Sequence, residues 1–87
     1  MASYELVFRK SVAKDLRRFP NDDVARILER IRALADDPRP PGCEKLSGLE
    51  RYRVRQGVYR IVYEVQDSQL VVLVVKIGHR RDVYRAR

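Results

Sequence analysis

Eighty-seven residues with one cysteine and one histidine suffice for a single small domain, 1–87, and exclude a second domain, an internal disulfide and a Cys/His zinc cluster. No apolar run reaches the roughly 18 residues that span a bilayer, and MASYELVFRK at the N-terminus lacks the regions of a secretory signal, so a soluble, cytoplasmic chain is expected. The net charge of +7 is uneven: residues 1–50 hold 10 Lys/Arg against 9 Asp/Glu, and residues 51–87 hold 9 against 3.

Tyr4–Arg9 alternates in β-forming residues and predicts a first strand with Leu6 and Phe8 on one face. Ser11 suits a helix N-cap, with Val12, Leu16 and Phe19 at helical spacing and Pro20 as the stop. Asn21 then caps a longer helix, with Asp22 and Asp23 at its positive end. Val24, Ile27, Leu28, Ile31, Leu34 and Ala35 form one apolar stripe along it. The pair reads as an antiparallel helix hairpin. Asp36–Gly42, DDPRPPG, is a loop because its prolines remove amide donors, and Cys43 beside it has no neighbouring base that would make it reactive.

Arg51–Tyr63, RYRVRQGVYRIVY, predicts two strands joined at Gln56-Gly57. That register sets Arg55 opposite Val58, Val54 opposite Tyr59, Arg53 opposite Arg60 and Tyr52 opposite Ile61. Tyr52, Val54, Tyr59, Ile61 and Tyr63 share the core face; Arg51, Arg53, Arg55 and Arg60 share the other. Like charges across a ladder are destabilising, and the nearest carboxylate on that face is Glu64, so the arrangement points to a polyanion. After a turn at Asp67-Ser68, Gln69–Gly78 predicts a strand whose segment Leu70–Val75, apolar on both faces, marks an interior position. His79–Arg87, HRRDVYRAR, adds arginines and Tyr84, an aromatic face on which a base can stack.

YRVR, GVYRIVYEV and VVLVVKIGHRRDVY, in this order behind a strand and two helices, resemble the RelE group of the RelE/ParE toxin superfamily, over Tyr4 to Arg85. The resemblance implies an α+β fold: an antiparallel sheet, made of the N-terminal strand and a three-stranded C-terminal meander, with the helix hairpin packed on one face. It also implies a toxin–antitoxin toxin that acts as a metal-independent endoribonuclease on messenger RNA in the ribosomal A site. The family's basic pair falls on Arg53 and Arg55, its further arginines on Arg60 and Arg80, and its terminal tyrosine on Tyr84. The partners it implies are a RelB-like antitoxin, the ribosome and mRNA, and a toxin–antitoxin hetero-oligomer on promoter DNA, with no membrane and no cofactor.

Cleavage through the substrate's own 2′-hydroxyl needs a base, cations at the phosphorane-like transition state and an acid for the leaving 5′-oxygen. Arg53 and Arg60, side by side across the two strands, suit the cationic role; Arg80 adds to it or protonates the leaving group, and Tyr84 stacks the base beside the scissile bond or takes part in proton transfer. Arginine stays protonated, which leaves the base unassigned; His79, the one side chain with an ordinary pKa near neutrality, is a candidate for it or an exposed residue at a strand end. Two other readings share this fold: a ParE-like, non-enzymatic inhibitor of DNA gyrase, and an inactive relative that only binds RNA.

Overall fold

The computed structural model describes residues 3–46 and 50–79. The chain runs β1 (Glu5–Phe8), α1 (Lys10–Arg17), α2 (Asn21–Asp36), β2 (Glu44–Leu46), β3 (Arg51–Gln56), β4 (Tyr59–Gln66), a single 3-10 turn over Asp67–Gln69, and β5 (Val71–His79). The strands form one sheet in the order β1-β5-β4-β3-β2. The α+β layout with a helix hairpin and a β3–β4–β5 meander is as expected, with two differences. β2 is a fifth strand, antiparallel to β3, and β1 lies parallel to β5, which makes the sheet mixed. The helix hairpin carries the chain from the β1 edge to the β2 edge. β5 is interior, flanked by β1 and β4.

Burial follows the apolar periodicity. Val12 of α1 and Ile27, Ile31 and Leu34 of α2 are 0% exposed and meet Tyr52, Val54, Ile61, Tyr63, Val72 and Val74 of the sheet. Both helices stack on this face; among the described residues no helix covers the other. Along β5 the core positions Val72, Val74 and Ile77 change spacing from two to three. A β-bulge explains this, because Tyr63 pairs with Val74 while Val62 pairs with Lys76 and leaves Val75 as the extra residue.

Both helix starts lie one residue or more earlier than the capping residues predicted. α1 begins at Lys10 behind an extended Arg9, whose amide still bonds to Val74 O of the sheet at 3.1 Å, so Ser11 falls inside the helix. Pro20 is the N-cap of α2, its carbonyl accepting from the Val24 amide at 3.0 Å, and Asn21 is the first helical residue. Asp22 and Asp23 occupy the first turn as expected. Leu70, predicted as strand, closes the 3-10 turn at φ 54°.

The β3–β4 turn corrects the register. Gln56 pairs with Tyr59, so Gly57 and Val58 form the turn, with Gly57 at φ +61°. This is the two-residue hairpin that takes glycine first, where the expected turn had it second. The slip is two residues, which leaves each side chain on its expected face and changes each opposite neighbour. Arg55 stands opposite Arg60, Arg53 opposite Val62, Val54 opposite Ile61 and Tyr52 opposite Tyr63. A Cβ at Gly57 would meet nothing within 4 Å, so Gly57→Ala is expected to cost backbone strain alone, about 1 kcal/mol. Thermal denaturation would read this as a fall of roughly 4–8 °C, with Gly57→Asn milder. An unchanged melting temperature for the alanine variant would mean that the left-handed turn does not fix the register.

Candidate phosphate-binding face

Alternation along β3 sends Arg51, Arg53 and Arg55 to the sheet face away from the helices, and the ladder brings Arg60 of β4 beside them. The four arginines are not equivalent. Arg51 is ion-paired with Glu64, its direct ladder neighbour. Arg53 donates through Nε at 3.0 Å and a terminal nitrogen at 2.6 Å to the same oxygen of Glu44, opposite it on β2. Arg55 is exposed and makes no ion pair or hydrogen bond among the described residues. Arg60 is 5% exposed, next to Arg55 on one side and Gly78 on the other. Gly78 brings no side chain to its position beside Arg60.

Glu44 reports the field of this face. Its carboxyl is held below the usual carboxylate range, first by the hydrogen bonds and charge of Arg53, with the charges of Arg55 and Arg60 acting in the same direction. One carboxylate thus feels three guanidinium groups. It stays ionised and is a correspondingly weak base. Its anchoring of Arg53 leaves exposed Arg55 as the less neutralised guanidinium among the described residues. Sequence reading missed Glu44, because β2 is three residues long and follows a proline-rich loop, too short for alternation to register.

Of the six residues singled out in the sequence, the structure brings Arg53, Arg55 and Arg60 together. His79 pairs with Tyr59 and so stands on the helix side of the sheet, its ring edge-on to Tyr59 with centroids 6.0 Å apart. It does not share the arginine face. Arg80 and Tyr84 lie outside the described residues. Tyr59 is itself fixed, donating to Asp23 Oδ2 at 2.7 Å and packing on Phe19. A cavity of about 220 Å³ opens beside it, lined by Asp23, Arg26, Gln56, Gly57 and Val58. That cavity is at the hairpin tip on the helix side. Among the described residues no helix covers the arginine face, as suits an extended polyanion held by its phosphates rather than an enclosed small molecule.

The family model for the ParE toxin of type II toxin–antitoxin systems, parDE, matches residues 6–84. The chain is 30% identical over 84 residues to the toxin RelE of Mycobacterium tuberculosis, covering 94% of this chain and 87% of that one. It is 27% identical over 81 residues to the mRNA interferase toxin RelE of Escherichia coli, covering 90% and 84%. Its fold superimposes with a TM-score of 0.82 on a chain of the archaeal RelE–RelB complex from Pyrococcus horikoshii, at 31% identity over 90% of this chain and 96% of that one.

Proposed function

We propose, from the premise that the chain belongs to the ParE toxin family of type II toxin–antitoxin systems and is of the RelE type, that it cleaves messenger RNA on the ribosome. The observation that carries this reading is the gathering of Arg53, Arg55 and Arg60 on one sheet face, with Arg55 directly opposite Arg60. Like charges opposite one another in a ladder are disfavoured, and a phosphate accepting from exposed Arg55 would offset that. The name of the Escherichia coli relative, mRNA interferase, supports the same reaction class.

In the proposed reaction the substrate's 2′-oxygen attacks the adjacent phosphorus and gives up its proton, while the bond to the 5′-oxygen breaks and that oxygen gains a proton. The products are a 2′,3′-cyclic phosphate and a 5′-hydroxyl. Arg60 and Arg55 hold the non-bridging oxygens as charge builds on them. Arg53 joins them where a phosphate competes with Glu44 for its fork. Arginine cannot serve as the base and His79 faces the other way, so we assign the proton transfers to the segment that follows, with Tyr84 and Arg80. An RNA base stacked on Tyr84 would hold the scissile bond in place.

The partner is a RelB-like antitoxin, as in the RelE–RelB complex of Pyrococcus horikoshii, and we infer that the pair assembles on promoter DNA. Its acidic segment and an RNA phosphate would compete for the same guanidinium groups, so binding of the purified pair should weaken as salt rises.

The test is primer extension on a defined message with translating ribosomes. New 5′-ends confined to the A-site codon are expected. The family model's ParE name motivates a second arm, a DNA gyrase supercoiling assay. Gyrase blocked at stoichiometric protein with an uncut message would replace this reading with the ParE-like one.

A further inference from the structure

The sheet ends in two edge strands of different character. β2 is three residues long with Lys45 at its centre, a short and charged edge of the kind that discourages further pairing. β1 carries no lysine, proline or bulge between Glu5 and Phe8. Its Val7 and Phe8 are 39% and 41% exposed, and among the described residues they are the large apolar side chains left exposed within a strand; Val58 and Leu70 lie in turns.

The ladder to β5 shows which backbone groups that edge has to offer. The Glu5 amide donates to Leu70 O at 2.7 Å and the Arg9 amide to Val74 O at 3.1 Å, so odd-numbered residues direct their backbone groups into the sheet. Leu6 and Phe8 direct theirs outward. The Tyr4 amide is taken by Ala35 O, which bounds the edge at one end, and Arg9 continues the extended backbone at φ −70° and ψ 154°. Self-pairing of Glu5–Arg9 about a twofold axis at Val7 sets Leu6 against Phe8, exchanging hydrogen bonds, and Val7 against its own copy. It also sets Glu5 of each copy opposite Arg9 of the other, at the positions where facing side chains come closest. Shifting the register by two residues in either direction sets Glu5 or Arg9 against Val7 and loses both charge pairs. Neither Glu5 nor Arg9 makes an ion pair within the chain among the described residues.

We propose that the outer edge of β1 pairs antiparallel with β1 of a second copy of this chain, joining two five-stranded sheets into one. The two Glu5–Arg9 contacts select the register and the orientation, and Leu6 of one copy covers Phe8 of the other. The strand is short, so the dimer is a transient one with a dissociation constant in the micromolar range. A twofold axis perpendicular to the sheet keeps both helix layers on one side and both arginine faces on the other. β5 separates this edge from the arginine-bearing strands β3 and β4, so dimerisation is independent of RNA cleavage.

The test is sedimentation equilibrium of the full chain from about 1 to 500 µM. The mean mass is expected to rise from monomer towards dimer across that range. Glu5→Arg and Arg9→Glu each turn two attractive contacts into two repulsive ones and should weaken the dimer about tenfold. Glu5→Arg/Arg9→Glu, which exchanges the two charges, should restore it, an outcome that neither net charge nor a purely structural role of either residue produces. Val7→Lys places two lysines together on the axis from a position already exposed and should also leave a monomer; it decides the matter should a charge variant melt early. A chain that is monomeric at every concentration would overturn the proposal, as would a dimer indifferent to these substitutions or one that the charge exchange fails to restore. So would amide hydrogen exchange that slows at Leu6 and Phe8 only after an antitoxin is added, which would give the edge to that partner.

Discussion

Arg60→Ala is expected to slow cleavage of ribosome-bound message by about two to three orders of magnitude, the usual effect of removing one preorganised donor from a developing oxyanion. The argument rests on placement. Arg60 is 5% exposed and seated between Arg55 and Gly78, so its guanidinium is already ordered before substrate arrives and is poorly screened by water. Truncating a buried arginine also removes packing, which is why Arg55→Ala is the informative companion. Arg55 is exposed and directly opposite Arg60, and its loss should remove like-charge repulsion, raising stability by a few tenths to about 1 kcal/mol while still lowering the cleavage rate. That opposite movement of activity and stability is what a binding face predicts and a purely structural arginine does not. Single-turnover primer extension and thermal denaturation of the same two variants decide it. A cleavage rate within threefold of wild type for both would remove the arginine face from the reaction.

The faces of β3 and β4 were legible because alternation is a property of the strand alone. Tyr52, Val54, Ile61 and Tyr63 are buried as alternation requires, and the arginines share the other side. Their neighbours were not legible, since register depends on whether Gly57 enters the turn first or second. A slip of two residues moved the opposed pair from Arg53 and Arg60 to Arg55 and Arg60 without changing any face. The carboxylates that sort the arginines were harder still. Glu44 arrives on a three-residue strand, and Glu64 faces Arg51 only in the true register.

Non-local pairing was beyond the sequence for a similar reason. Nothing in Glu5–Phe8 says that its neighbour is β5 or that the two run parallel. His79 had a suggestive chemistry and neighbour in the sequence, yet one step along β5 from Gly78 puts it on the opposite face.

The end of the sheet remote from the β3–β4 turn depends on one residue of the proline-rich loop, and Arg39→Ala is expected to cost about 2 kcal/mol at neutral pH, roughly 10 °C in melting temperature. Arg39 Nε donates to Tyr52 Oη at 2.8 Å, and its terminal nitrogens reach both oxygens of Asp67 at 3.2 and 2.8 Å and Glu50 at 3.1 Å. Its guanidinium carbon is 5.2 Å from the centroid of the Tyr52 ring. Tyr4 donates to the same Asp67 at 2.7 Å, so the loop, β3, the β4–β5 turn and the residue before β1 meet at this side chain. Each exposed ion pair alone is worth little; the two-pronged contact with Asp67 and the shared acceptors make the cluster worth more. Asp67 and Glu50 are both held below the usual carboxylate range, in each case first by hydrogen bonding to Arg39. With folded-state values below the unfolded ones, their contribution is fully present above the unfolded carboxylate range of about 4 and is lost as pH falls through the lowered values. The stability gap between wild type and Arg39→Ala should therefore hold from pH 7 down to about 5 and narrow below about 4. Melting temperatures of the pair across that range test it, and a gap that stays constant into acid would mean that Arg39 acts through packing on Tyr52 and not through its carboxylates.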